Sequence, residues 1–230
     1  MEIVGVVPAA GYATRLQPLG GSKEVLPIKG KPVMDHLVER MRVGGATRVR
    51  VVTRAEKHDV IQHAGEIGAE TVLGNPETVS DSILAGTAGL GDDDIVLIGF
   101  PDTLWEPGDG YVPLVRAVTA GCEVALGLFR IDPADLPRSD VVVFGPESSI
   151  AGIDIKPATP RSEWIWGIAA VRAATLAELG RAEWPGGFFD LLCREGRNVR
   201  GFPLSDAWLD IGTKNALLLA GGSGGSIERR

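Results

Sequence analysis

Short apolar runs of strand length recur along the chain: Ile3–Val7, Val49–Thr53, Thr71–Leu73, Ile95–Ile98, Glu123–Phe129 and Val141–Phe144. Between several of them the apolar residues fall at helical spacing instead. Val33–Val43 places Val33, Leu37 and Met41 one turn apart and stops at Gly44-Gly45, a good C-terminal signal. Val79–Leu90 behaves similarly, with Gly89 and Gly91 at its end. Continuous apolar strands alternating with helices predict an α/β sandwich, a mainly parallel sheet covered on both faces. Ligands of such sheets bind beyond the carboxyl ends of the strands. The second half is less regular. Pro133, Pro137, Pro146, Pro157 and Pro160 break it into short pieces, read as sheet extensions and loops closing over one side of the site. Residues 1–220 are therefore expected to form a single domain. Residues 221–230 have Gly/Ser linker composition and are expected to be disordered. No internal repeat is found.

The chemistry concentrates near the start. The strand Ile3–Val7 runs into Pro8-Ala9-Ala10-Gly11-Tyr12-Ala13-Thr14-Arg15-Leu16. A strand opening into a small-residue loop puts backbone N–H groups where a phosphate can approach. Ser22-Lys23-Glu24-Val25-Leu26-Pro27-Ile28 and Lys31-Pro32 follow. Arg15 supplies a planar fork and Lys23 a compact charge, a combination that suits a polyphosphate. The segment is built to hold a nucleoside triphosphate.

Charge sharpens this reading. The 230 residues carry a net charge of −7, which argues against a general nucleic-acid binder. An acidic protein that binds a triphosphate must gather positive charge locally or bring a divalent metal. Asp102 stands just past the buried run Ile95–Ile98, in Gly99-Phe100-Pro101-Asp102-Thr103, where a carboxylate can hold Mg²⁺ on a phosphate. Asp210, in Trp208-Leu209-Asp210-Ile211-Gly212-Thr213, is flanked by apolar residues. It either caps a following helix or joins Asp102 on one metal. Cys122 and Cys193 have no metal-ligand spacing and read as buried thiols. His36, His58 and His63 receive no role. There is no basic leader with a cleavage signal and no apolar run long enough for a bilayer, so no membrane partner and a cytoplasmic location are expected.

Pro-Ala-Ala-Gly-x-x-Thr-Arg-Leu, Ser-Lys-Glu-x-Leu-Pro-Ile, Lys-Pro, Pro101-Asp102, Ile155-Lys156-Pro157 and Trp-Leu-Asp-Ile-Gly-Thr occur in one order between residue 3 and about residue 213. This ordered set resembles the sugar-1-phosphate nucleotidyltransferases, most closely the glucose-1-phosphate thymidylyltransferases and the bacterial UTP–glucose-1-phosphate uridylyltransferases. The resemblance implies a Rossmann-like three-layer sandwich. It implies that an NTP, dTTP or UTP, reacts with a sugar 1-phosphate to give an NDP-sugar and pyrophosphate, with Mg²⁺ as cofactor. The family's pyrophosphate-stabilising arginine falls on Arg15 and its triphosphate lysine on Lys23. Its metal aspartates fall on Asp102 and Asp210, its sugar-phosphate lysine on Lys156, and its sugar-side glycine on Gly167. Nucleotide contacts are expected from Ala9, Ala10, Gly11, Thr14, Pro76 and Val79. A homo-oligomer is compatible with this reading.

Several positions depart from the family's pattern. Ala10 and Ala13 replace loop glycines, and Ile155 replaces the acid before the lysine. Ser139-Asp140-Val141 stands for a sugar-side Tyr-Gly-Val, which makes Asp140 a candidate acceptor contact. Thr78-Val79-Ser80-Asp81 stands for the base-reading Gly-Leu-Ala-Gln. The phosphate machinery is kept while both specificity pockets are altered. Two other readings stay open: a cytidylyltransferase for a non-sugar phosphate or phosphonate, and a non-catalytic nucleotide-sugar-binding domain. Pro157 is expected to hold Lys156 extended, with Lys156 facing the site and Ile155 packing inward.

Overall fold

The computed structural model describes residues 1–12, 20–146, 149–212 and 221. Arg15 and Thr14 of the loop, and all of the Gly/Ser tail but Gly221, lie outside the described residues. In chain order the elements are β1 (Ile3–Pro8), β2 (Pro27–Ile28), β3 (Lys31–Pro32), α1 (Val33–Val43), β4 (Arg48–Thr53), α2 (His58–Glu66), β5 (Glu70–Leu73) and α3 (Val79–Thr87). There follow β6 (Ile95–Ile98), β7 (Thr103–Trp105), α4 (Tyr111–Thr119), β8 (Val124–Arg130), β9 (Asp140–Phe144) and β10 (Ile150–Ile155). The chain continues through β11 (Trp164–Arg172), α5 (Ala173–Leu176), α6 (Pro185–Arg194), β12 (Val199–Ser205) and β13 (Trp208–Asp210).

The central sheet runs β10-β9-β11-β6-β1-β4-β5, with β8 paired to β11 and β12 to β8. The β6-β1-β4-β5 half is parallel. The long strand β11 attaches antiparallel to β6, β8 and β9. The predicted α/β sandwich is thus formed, and the irregular second half extends its sheet.

Strand alternation separates two apolar layers. Val7, Val49, Val51, Ile95 and Leu97 face one layer, with Leu37 of α1, Val60 of α2 and Leu114 of α4. Val6, Val52, Val96 and Ile98 face the other, with Ile83 of α3, Leu176 of α5 and Phe188 of α6. Parallel strands buried on both faces require apolar side chains at successive positions, which is why these runs stood out in the sequence. α1 has its predicted bounds. α3 stops at Thr87, short of Leu90, because Ala88 leaves the helical conformation and Gly89 takes φ +76°. Between β2 and β3, Lys29 and Gly30 both take positive φ, as the two-residue turn between paired Ile28 and Lys31 demands.

Gly167 occupies a bulge in β11, where the register shifts between Trp166 and Ile168. A Cβ there would collide with the indole of Trp208, which itself stacks on Phe129 at a centroid separation of 4.7 Å. Gly167→Ala should therefore overpack this contact and cost about 1–3 kcal/mol. Urea unfolding reads the loss as a lowered midpoint at constant slope; an unchanged midpoint would mean that Trp208 moves aside freely.

Candidate active site

β1, β4 and β6 run in one direction, so their carboxyl ends open on one side of the sheet. A cleft of about 350 Å³ lies there. Its walls include Ala10 and Gly11 after β1, Lys23 and Glu24, Arg54 after β4, Pro76 and Val79 before and in α3, Asp102 after β6, and Trp184. Of the residues expected to meet the nucleotide, Ala10, Gly11, Lys23, Pro76 and Val79 line this cleft together with Asp102. Ala9 does not: its side chain is fully buried and its N–H bonds Val52 O at 2.8 Å, so it anchors the loop from below.

The Lys23 ammonium donates to Asp102 Oδ2 at 2.5 Å. Burial lowers the Lys23 pKa, but the carboxylates of Asp102, Glu24 and Asp210 outweigh it and leave the group raised and charged. Lys23 is set by a 3-10 turn over Lys23–Val25. The turn's entry is tied down where Asp59 accepts the Ser22 N–H at 2.6 Å and the Ser22 hydroxyl at 2.8 Å. Burial raises the Asp59 pKa, but these bonds, with the Val60 N–H and the Lys57 charge, more than reverse it, so its net shift is downward.

Asp210 reaches the same region on a separate ribbon. β13 pairs antiparallel with β7, placing Asp210 opposite Thr103, and the Ile211 N–H donates to Asp102 O at 2.8 Å. Asp210 Oδ1 accepts the Gly212 N–H at 2.7 Å; the helix that the sequence placed after it lies outside the described residues. Two carboxylates on neighbouring strand ends, both acting on one ammonium, form the hard oxygen donor set that Mg²⁺ uses when phosphate and water complete its shell. The residues fit such an ion.

Beside the cleft lies a second group. Lys156 Nζ stands 5.2 Å from the ring centre of Trp184, which itself lines the cleft. Lys156 is not extended. It takes φ +45°, a left-handed conformation that is uncommon before proline, and its N–H donates to Ser139 O at 3.2 Å. Ile155 is 42% exposed and does not pack inward. The turn of the backbone at Lys156, and not strand alternation, sets the lysine's direction. Asp140, opposite Ile155 in the β9–β10 ladder, lies against Gly186, where any side chain would strike its carboxylate. Gly167 lines no part of the cleft; its place under Trp208 ties β11 to the ribbon that carries Asp210.

Three features escaped sequence reading. Glu24 is fully buried, and its Oε2 accepts from Lys57 Nζ at 2.7 Å. Arg54 bonds Ala10 O at 2.9 Å and Pro76 O at 2.6 Å, joining the two walls, and stacks on Tyr12. Trp184 precedes Pro185 at the start of α6; a tryptophan in a Pro/Gly turn was the one signal available. Asp81, in the segment that the resemblance assigns to base reading, is engaged elsewhere. It accepts the Thr78 N–H at 2.9 Å while Thr78 Oγ1 accepts the Asp81 N–H at 3.0 Å, a capping box on α3.

A family model for the MobA-like NTP transferase domain matches residues 5–128. The chain belongs to the MobA-like NTP transferase family. It is 24% identical to a glucose-1-phosphate thymidylyltransferase of Mycobacterium tuberculosis, over 98% of this chain and 83% of that one. It is 25% identical to a glucose-1-phosphate thymidylyltransferase of Neisseria gonorrhoeae, over 93% of this chain and 79% of that one. Its fold matches the structure of a UDP-glucose pyrophosphorylase of Acinetobacter baumanii with a TM-score of 0.80, at 16% identity, over 96% of this chain and 92% of that one. The resemblance to nucleotidyltransferases read from the motifs is borne out. Among the described residues no helix is long and apolar enough to cross a membrane.

Burial pushes the Asp140 carboxyl above its ordinary 3.8, and the Trp166 indole and Lys156 only partly offset this. In the window above 3.8 the unfolded chain has released a proton that the folded chain keeps, so this group makes stability fall as pH rises through the folded value. Thermal unfolding across that window should show a shallower fall in Asp140→Asn than in the wild type. Identical slopes would remove the buried carboxyl from the account.

Proposed function

We propose that this transferase joins a nucleoside triphosphate, dTTP or UTP, to a sugar 1-phosphate. An oxygen of the acceptor phosphate attacks the α-phosphorus in line; that P–O bond forms as the bond to the bridging oxygen breaks, and pyrophosphate leaves with the electron pair. No protein nucleophile is required. The observation that carries this reading is the meeting of Lys23, Asp102 and Asp210 beside a small-residue loop at the strand ends. Joining two polyanions needs charge neutralisation and alignment, and such a site supplies both.

Lys23 would hold the triphosphate, with the backbone amides of Ala10 and Gly11 and the wall of Pro76 and Val79 around the nucleoside. Arg15, outside the described residues, would meet the departing pyrophosphate, as the family resemblance implies. Asp102 and Asp210 would hold Mg²⁺, whose part is to neutralise and orient phosphate oxygens. Lys156 and Asp140 would face the acceptor, with Trp184 between them and the nucleotide. Residues 1–220 would act as one domain.

Pyrophosphate release, screened over NTPs and sugar 1-phosphates with Mg²⁺, tests the reaction; no release with any pair would overturn it. EDTA should abolish turnover, and Asp210→Ala should lower kcat/KM on the order of 10²–10³-fold. Full activity in either case would remove the metal from the site.

Lys156→Ala should raise KM for the acceptor by about tenfold or more, the scale of one charge-assisted hydrogen bond, while KM for the NTP stays near its wild-type value. Equal effects on both substrates would return Lys156 to a structural role.

A further inference from the structure

The buried Lys57 ammonium makes three bonds at once. It donates to Ala9 O at 2.7 Å, to Gly11 O at 3.1 Å and to Glu24 Oε2 at 2.7 Å. An ammonium has three protons, so its donors are fully used. Ala9 O accepts a further bond from the Thr53 hydroxyl at 3.2 Å, and Ala10 O accepts from Arg54 Nε at 2.9 Å. Three consecutive carbonyls of the loop after β1 are therefore held by side chains from the end of β4 and the turn that follows it.

That pattern fixes more than position. In a planar trans peptide the C=O and the next residue's N–H point in opposite directions. A carbonyl drawn toward Lys57 turns the following amide away from it. The carbonyls of Ala9 and Gly11 so aim the N–H groups of Ala10 and Tyr12, and that of Ala10 aims Gly11. Ala10, Gly11 and Tyr12 all line the cleft.

We propose that Lys57 is a positioning residue for the nucleotide: it aims the loop's amides into the cleft, and Glu24 is the buried counter-charge that keeps its ammonium there. Burial raises the Glu24 pKa and Lys57 opposes the rise, which agrees with a couple whose members need each other. Glu24 Oε1 is buried with no hydrogen-bond partner, so Lys57 is the one cation bonded to this carboxylate among the described residues. The inference rests on the nucleotide reading of the cleft.

Wild type, Lys57→Met and the Glu24→Gln/Lys57→Met double variant are titrated calorimetrically with dTTP and with UTP in the presence of Mg²⁺, and their Tm values are compared. Lys57→Met leaves a carboxylate buried and unpaired, so it should lose the most Tm; the double variant removes that charge and should recover most of it. Affinity should not recover. Both variants should bind nucleotide roughly tenfold to a hundredfold more weakly, the scale of one or two charge-assisted hydrogen bonds, with an unchanged acceptor KM. Should Lys57→Met fail to fold, the double variant carries the test. A double variant that binds nucleotide like the wild type would overturn the proposal and leave Lys57 as a neutraliser of Glu24. Wild type that binds neither nucleotide would overturn both the nucleotide reading and this inference. Wild type that binds one of them but turns over no sugar 1-phosphate would overturn the acceptor reading alone.

Discussion

One ion pair closes this molecule's site. Lys23 and Asp102 lie 79 residues apart, and their 2.5 Å contact joins a turn near the start of the chain to the end of a central strand. Each partner is held independently. Asp59 grips the turn before Lys23, while the β7–β13 ribbon grips the backbone around Asp102. Half-buried groups of opposite charge are costly to leave alone. The two supports bring the partners within reach of one another and set the pair at the edge of a cleft, where a polyanion would exchange partners with it.

The parallel half was legible because two-sided burial forces unbroken apolar runs, and β6 carries four in a row. The antiparallel half was harder to see. β11 holds Trp164, Trp166 and Gly167, and its bulge breaks any simple alternation. Gly127, Gly152 and Gly167 all sit inside strands of this half, so a small residue there does not mark where a strand ends.

At the site, the motif residues were legible as charges following strands. What escaped is the layer beneath them. Lys57 lies in a short loop where a charged residue ordinarily faces water, and only the buried Glu24 opposite makes it an interior cation. Lys156 shows the reverse failure. The rule that a residue before proline is extended is steric and general, yet the backbone there takes φ +45° with its N–H on Ser139 O. Backbone departures of this kind are set by tertiary contacts that no local pattern contains.

The ribbon of β7 and β13 has a consequence in time. Its two strands are separated by more than a hundred residues, and β13 is not hydrogen-bonded to the central sheet. During synthesis the strands around the loop, and most of the sheet, emerge well before Trp208 to Asp210. The sheet can form while the second carboxylate is still on its way. In order of synthesis Asp210 thus comes last of the charged groups described at the cleft.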